Sequence, residues 1–398
     1  MRDVYLDHAA ATPMDPRVLE VMLPFLKESY GNPSSFHMKG KVVKDALEEA
    51  RERVAAILGA RADEILFTSG GTESDNLAVL GYARAHAGEG KHVVTTTFEH
   101  QAVLEAVAHL EKKEGFNVTR VAVSSEGLVD AEDVVRALRP ETTLVSIMYA
   151  NNEIGTIQPI AEIGRELPDK VALHTDACQA AGALPLGVEK LHVDLLTING
   201  SKIYGPKGIG ALYIKRGLKV TPLQFGGAQE RGLRGGTEHV AGAVGLACAL
   251  EIAQETVGKE NERQGALRDR LAERILREIP KTRLNGHPML RLPNNLNISF
   301  MDIEGEALVL YLDAAGIFVS TGSACTSASL DPSHVILSLG VPFEVAHGSI
   351  RFSLGRSTTQ DDVDYVMEVL PPLVKKLRAI SPVFVDDKYW KPKVATHV

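Results

Sequence analysis

The sequence predicts an α/β fold, with a large domain built on a mainly parallel sheet and a second, smaller α+β domain after it. Three observations carry this. Over the first two-thirds of the chain, short β-branched runs alternate with amphipathic helical patterns, the rhythm of strands joined by crossover helices. Near Gly258 the texture changes to a long charged helix and then a Pro/Asn-rich stretch. The length of 398 residues, 44% of them hydrophobic and 24% charged, leaves room for two or three domains with large cores.

Taken in order, a helical pattern over Lys41–Leu58 precedes the first strand candidate, Glu64–Thr68. Strands follow at His92–Thr96, Val118–Val123, Leu144–Met148, Ala172–Thr175, Leu195–Ile198 and Gly210–Ile214. Helical periodicity fills the earlier gaps, at Glu73–His86, Gln101–Glu114, Ala131–Leu138 and Ile160–Leu167. The last two strands have little helix between them, which allows one of them to run antiparallel. The later part predicts a helix over Lys259–Glu278, a strand at Leu296–Phe300, a helix at Glu304–Ala315, a strand around Gly348–Phe352 and a final helix at Thr359–Ala379. The division expected is 15–256 for the large domain, 1–14 with 257–380 for the small one, and 381–398 as a poorly packed tail.

The net charge of −8 gives no electrostatic footprint for nucleic acid. Three cysteines, at 178, 248 and 325, are too few and too scattered for a disulfide framework or a Cys-x-x-Cys metal pair. The chain starts without an apolar stretch of signal-peptide length, and the apolar run Val240–Leu250 is too short to span a bilayer. A cytoplasmic, soluble protein is expected, with no membrane partner and no metal site.

Five motifs could carry chemistry. Thr68-Ser69-Gly70-Gly71-Thr72-Glu73-Ser74 joins a strand to a helix, so its backbone N–H groups could cradle a phosphate; a plain glycine turn capped by Ser69 or Thr72 is the competing reading. It lacks the Lys of a nucleoside-triphosphate loop, which favours the phosphate of a small cofactor. Asp176 ends an apolar strand, where α/β sheets bind ligands; it could hold a cationic ring nitrogen or merely cap a turn. Lys202, in Asn199-Gly200-Ser201-Lys202, follows the next strand and could form a Schiff base, although most lysines are only solvated. Phosphate cradle, strand-end carboxylate and strand-end lysine together are what pyridoxal phosphate requires. Cys325 lies in a loop of small polar residues, Ser320 to Ser329, and reads as an exposed thiol, functional or idle; Cys248 and Cys178 read as packing. In Ile350-Arg351-Phe352-Ser353-Leu354-Gly355-Arg356, an arginine could clamp a carboxylate or form an internal ion pair, and the residues alone do not rank Arg351 over Arg356. His100, between a strand and a helix, is at a ligand-facing position.

In this order the motifs resemble the cysteine desulfurases of the NifS/IscS type, within the class V aminotransferases. The resemblance runs from Tyr5-Leu6-Asp7 to about Leu377. It includes Gly31-Asn32-Pro33-Ser34-Ser35, Asn151-Asn152-Glu153-Ile154-Gly155, Lys202-Ile203-Tyr204-Gly205-Pro206-Lys207-Gly208 and Gly322-Ser323-Ala324-Cys325-Thr326-Ser327. The last resembles the long-loop group. The resemblance implies pyridoxal-phosphate fold type I, like aspartate aminotransferase, with a seven-stranded sheet. It implies that Lys202 carries the cofactor, Asp176 pairs with its ring nitrogen, Gln179 approaches the ring hydroxyl and His100 stacks on the ring. Gly71, Thr72, Asn199 and Ser201 would bind the phosphate, Ser201 standing where the family often has His. Thr237 would reach the phosphate of the other subunit, implying a homodimer. Asn151 and Arg351 would hold the substrate carboxylate, and Cys325 would be the nucleophile, with Lys202 and His100 completing the catalytic set. The implied reaction turns L-cysteine into L-alanine and passes sulfur, as a persulfide, to an acceptor such as an iron–sulfur scaffold or a thiolation protein. A selenocysteine lyase of the same fold is the alternative, and a catalytically silent scaffold a further one. The tail from Pro382 does not resemble the tail that serves the usual scaffold partner.

Overall fold

The computed structural model describes residues 2–322, 331–382 and 384–386. Its strands are β1 (Val4–Tyr5), β2 (Ile65–Thr68), β3 (His92–Thr96), β4 (Asn117–Val121), β5 (Thr142–Ser146), β6 (Ala172–Asp176), β7 (Leu195–Asn199), β8 (Gly210–Ile214), β9 (Thr282–Asn285), β10 (Asn295–Phe300), β11 (Ile317–Phe318) and β12 (Ser349–Ser353). Seven of them form one sheet in the order β2-β8-β7-β6-β5-β3-β4. Only β8 runs against its neighbours, pairing antiparallel with both β2 and β7. The short Gly200–Gly208 connection explains this, since a tight return cannot make a parallel crossover.

One consequence governs the site. The carboxyl ends of β2, β3, β5, β6 and β7 lie along a single edge, and each leads into a candidate functional segment. Gly210 on β8 pairs with Thr68 on one side and Asn199 on the other. A Cβ at Gly210 would stand 2.8 Å from the Gly70 backbone, so only glycine lets the first loop fold over this strand.

β2, β3, β5, β6 and β7 are buried almost throughout, as expected of strands covered on both faces. Two apolar clusters flank this sheet; Phe67, Val94, Val145, Leu173 and Leu196 face one, and Leu66, Val93, Leu144, Ala172 and Leu195 the other. This alternation is the two-residue period of a strand.

A third cluster belongs to the later part of the chain. It combines Leu296, Ile298, Ile350 and Phe352 from the antiparallel sheet β12-β10-β9 with Val363, Val366, Leu370 and Val374 of helix Gln360–Ile380. The N-terminal strand β1 joins it by pairing parallel with β11.

Several elements differ from the sequence reading. Helix Val240–Glu278 is continuous over 39 residues, so the expected boundary at 256–257 falls inside it and not in a linker. Its first half packs in the large core and Leu267, Leu271 and Ile275 pack in the small one. By length and composition it could cross a membrane, but 72% of its most apolar window is buried against the rest of the fold. Helix Pro16–Lys27 and the short strands β1, β9 and β11 are additions to the sequence reading; β1 and β11, at two residues each, leave no periodicity to read. In the tail, expected to pack poorly, Val385 is buried and its N–H donates to Asp302 Oδ1 at 2.7 Å.

Candidate active site

The first loop enters helix Gly71–Asn76, which runs on through a π-helical turn, Leu77–Gly81, to Tyr82–Ala85. No side chain caps its start at Gly70, so first-turn N–H groups remain available to an anion. A Cβ on Gly71 would meet Cys178 Sγ at 2.7 Å and lie 3.6 Å from the Asn199 side chain. Three strand ends thus converge at Gly71. Thr72 is exposed, and Ser201 Oγ donates to Asn199 Oδ1 at 3.2 Å. This donor set, glycine amides at a helix start with two polar side chains beside them, fits a phosphate.

Asp176 is the last residue of β6 and Lys202 closes the turn after the adjacent β7. Asp176 is buried, and its Oδ1 accepts the Cys178 N–H at 2.9 Å. Lys202 Nζ donates to the Ala10 carbonyl at 2.5 Å. Gln179, half-buried, donates through Nε2 to the Ala9 carbonyl at 3.0 Å. The N-terminal segment therefore lies across the site and touches both. His100 starts helix Gln101–Lys113, its Nδ1 accepting the Ala102 N–H at 3.1 Å.

A layer of buried titratable groups lies beneath. His174 on β6 bonds Ser146 Oγ at 2.8 Å and Thr197 Oγ1 at 3.1 Å, and burial pushes its pKa down to about 4. Asp75 lies 3.6 Å from His174 Nε2; burial, then the charge of Asp176, hold its carboxyl well above the usual range. His174 is therefore neutral at pH 7. Glu99, after β3, accepts Thr96 Oγ1–H at 2.6 Å and the Met148 N–H, yet burial raises its pKa to about 8.

Asn151 and Arg351 stand further along. Asn151 is fully buried; Nδ2 donates to the Phe98 carbonyl at 3.0 Å and Oδ1 accepts the Glu153 and Ile154 N–H groups. Arg351 is also buried, bonding the Asn152 carbonyl at 3.1 Å and Asp7 Oδ1 at 2.7 Å. Arg356 instead stacks on Tyr204 and pairs with Asp15, so the structure separates two arginines that the residues alone could not rank. Thr237 is exposed, in a segment tied to helix Gly71–Asn76 by the Arg234–Glu73 ion pair at 2.8 Å. Cys325 lies outside the described residues.

Sequence reasoning missed Asp7, Glu99 and Asp75. Asp75 had a readable sign: with Ala78, Val79 and Tyr82 it shares one buried helix face, a polar residue at a core position. Asp7 carried none, because its partner Arg351 is remote in sequence; Glu99 has one near partner, Thr96, but the Met148 N–H that completes its burial is 49 positions away.

This arrangement, a lysine and a carboxylate on adjacent strand ends beside an uncapped helix start, defines a class before it defines an activity. The description of the family "Aminotransferase class-V" matches residues 4–366, and the chain belongs to that family. Its place there is with the cysteine desulfurases. It is 52% identical over 382 residues to cysteine desulfurase IscS of Dictyoglomus turgidum, covering 96% of this chain and 97% of that protein. It is 53% identical over 380 residues to cysteine desulfurase IscS of Methanosarcina thermophila, covering 95% of this chain and 94% of the relative. Among solved structures, a NifS-like protein superposes with a TM-score of 0.89 at 38% identity, covering 94% of this chain and all (100%) of the other. The family implies pyridoxal phosphate in general terms, and fold type I matches the expectation from the sequence.

Proposed function

We propose that this chain is a cysteine desulfurase that converts L-cysteine to L-alanine and carries the sulfur as a persulfide on Cys325. The observation that carries the reading is the pairing of Lys202 and Asp176 on adjacent strand ends, with the glycine-lined helix start at the same edge. In this reading the Gly71 and Thr72 amides, with Asn199 and Ser201, hold the phosphate of pyridoxal phosphate. Asp176 would face the ring nitrogen, Gln179 the ring hydroxyl and His100 the ring face. Lys202 would hold the aldehyde carbon. When bound, the cofactor withdraws electrons from the amino acid and makes its α-hydrogen acidic.

The chain's own residues do the rest. Asp176, buried at the end of β6, would offer its carboxylate to the ring nitrogen and favour the protonated form of that nitrogen. Arg351 orients the substrate by its carboxylate, and Asn151 shapes that end of the site. Lys202 Nζ takes the α-proton and returns a proton during the cycle. The Cys325 thiolate then forms an S–S bond to the substrate sulfur while the C–S bond breaks. The electron pair passes to the carbon fragment, which is protonated and leaves as alanine.

The reading includes a homodimer. Thr237 is exposed on a single subunit, Phe225 nearby in the chain is 83% exposed, and apolar side chains of the N-terminal helices are exposed too, Leu26 at 54% and Met38 at 72%. It also includes the division at 15–256 against 1–14 with 257–380, a cytoplasmic location, and an acceptor such as an iron–sulfur scaffold or a thiolation protein. The experiment is direct. The purified protein with pyridoxal phosphate, cysteine and a reductant should release alanine and sulfide in equal amounts. Full alanine production by Cys325→Ala would sink the persulfide route.

A further inference from the structure

Arg351 heads the large side chains buried in this fold, at 2% exposed, and a buried charge demands a counter-ion. Asp7 is that counter-ion, with Oδ1 2.7 Å from Arg351 Nη2. The contact uses only part of what a guanidinium offers. Nη1 is engaged by the Asn152 carbonyl at 3.1 Å. Nε is buried and has no hydrogen-bond partner among the described residues. Nε and Nη2 form the side edge of the guanidinium, the fork that takes a carboxylate through two parallel bonds. Asp7 holds one tine of that fork and leaves the other bare.

We propose that Asp7 is a placeholder for the substrate's α-carboxylate: it neutralises Arg351 while no amino acid is bound and yields the Nε–Nη2 fork to cysteine. The inference rests on the reading that Arg351 receives that carboxylate. The exchange is favourable on geometry, because one charge-assisted bond gives way to two with no change of charge at Arg351. The two partners differ in freedom to move. The Asp7 side chain is 21% exposed and can turn to water, whereas that of Arg351 is 2% exposed and cannot. Asp7 also sits on the strap that holds the site. Ala9 and Ala10, two and three residues on, accept hydrogen bonds from Gln179 and Lys202. Withdrawal of Asp7 therefore pulls on the segment that contacts both. Competition by Asp7 lowers the apparent affinity for cysteine below that of the open fork.

The test uses the holoenzyme. Asp7→Asn should lower KM for cysteine by about three- to tenfold with kcat within about twofold, because it removes the competitor and not the fork. L-Alanine titrated into the holoenzyme, read by cofactor absorbance, should bind tighter by the same factor. An unchanged or raised KM overturns the proposal. Arg351→Gln, assayed in parallel, tests the underlying reading: if its KM equals that of the wild type, Arg351 is not the carboxylate site. A crystal structure of the wild-type holoenzyme with L-alanine decides the matter even if Asp7→Asn fails to fold. The alanine carboxylate should lie on Nε and Nη2 with Asp7 turned away. Asp7 still on Nη2 refutes the placeholder, and a carboxylate distant from Arg351 refutes the reading beneath it.

Discussion

Arg51 and Glu230 meet as a buried fork, Nη1 to Oε2 and Nη2 to Oε1, both at 2.8 Å. Glu230 Oε2 also accepts the Phe67 N–H at 3.1 Å, and the guanidinium lies over the Phe67 ring. The pair thereby fastens helix Met38–Leu58 and β2 to the turn at 229–232, where Glu230 and Arg231 both have positive φ. Without Glu230 the buried Arg51 charge keeps only the half-exposed Glu48 carboxylate at 3.2 Å and the Ile65 carbonyl at 2.9 Å. Glu230→Ala should cost about 3–5 kcal/mol of unfolding free energy in urea titration. A loss within about 1 kcal/mol would show that the charge finds another partner or water.

Gly71 is the position where a methyl group should matter most for the phosphate. Its Cβ would press on Cys178 Sγ at 2.7 Å. Gly71→Ala should weaken pyridoxal-phosphate binding at least about tenfold in an equilibrium titration, a cost of roughly 1.4 kcal/mol. The double variant Gly71→Ala with Cys178→Ala should recover most of it, since the obstruction is a single sulfur atom. No recovery would mean that backbone placement, not that contact, sets the requirement.

Glu99 gives a pH signature. Its carboxyl titrates near 8 in the fold, against 4.5 for the unperturbed group. Between those values the unfolded chain gives up the proton and the fold keeps it, so stability falls as pH rises through that window. The slope is at most about 1.4 kcal/mol per pH unit. Glu99→Gln keeps an acceptor for Thr96 and Met148 and removes the titration. Its melting temperature relative to wild type should therefore climb from pH 5 to pH 8. A difference that stays flat with pH would show that Glu99 ionises normally. His174, neutral with a pKa of about 4, acts on the acid side: its contribution is lost as pH falls below about 6.5.

The thiols should separate by reactivity. Burial pushes the Cys178 and Cys248 thiols up, and both are buried. Iodoacetamide on the native holoenzyme should label Cys325 first, by peptide mass mapping, with sulfide production lost in step. Cys248→Ala should keep its activity. Early labelling at Cys178 would mean that the packing around Gly71 opens readily.

Much of the large sheet was legible because its strands are buried runs bounded by turn signals, and its helices carry a full 3.6-residue pattern. The phosphate loop, Asp176 and Lys202 were legible because each lies where a strand ends, a position the pattern locates to within a residue or two. The unbroken helix Val240–Glu278 was not. Its apolar half serves one core and its charged half another, so the composition changes although the backbone does not. The counter-ion of Arg351 was equally hidden, since Asp7 is 344 positions away.

By itself the sequence determined which groups are present and in what strand order: the glycine turn, the carboxylate, the lysine and the arginine pair. Those follow from local periodicity and residue chemistry, which act over a few positions. Only the tertiary structure decided which arginine is buried, that Asp7 holds it, and that Asp75, His174 and Glu99 lie dehydrated beneath the site. Burial and ion pairing depend on what surrounds a group in space, and those neighbours come from segments whose separation along the chain carries no trace of their contact.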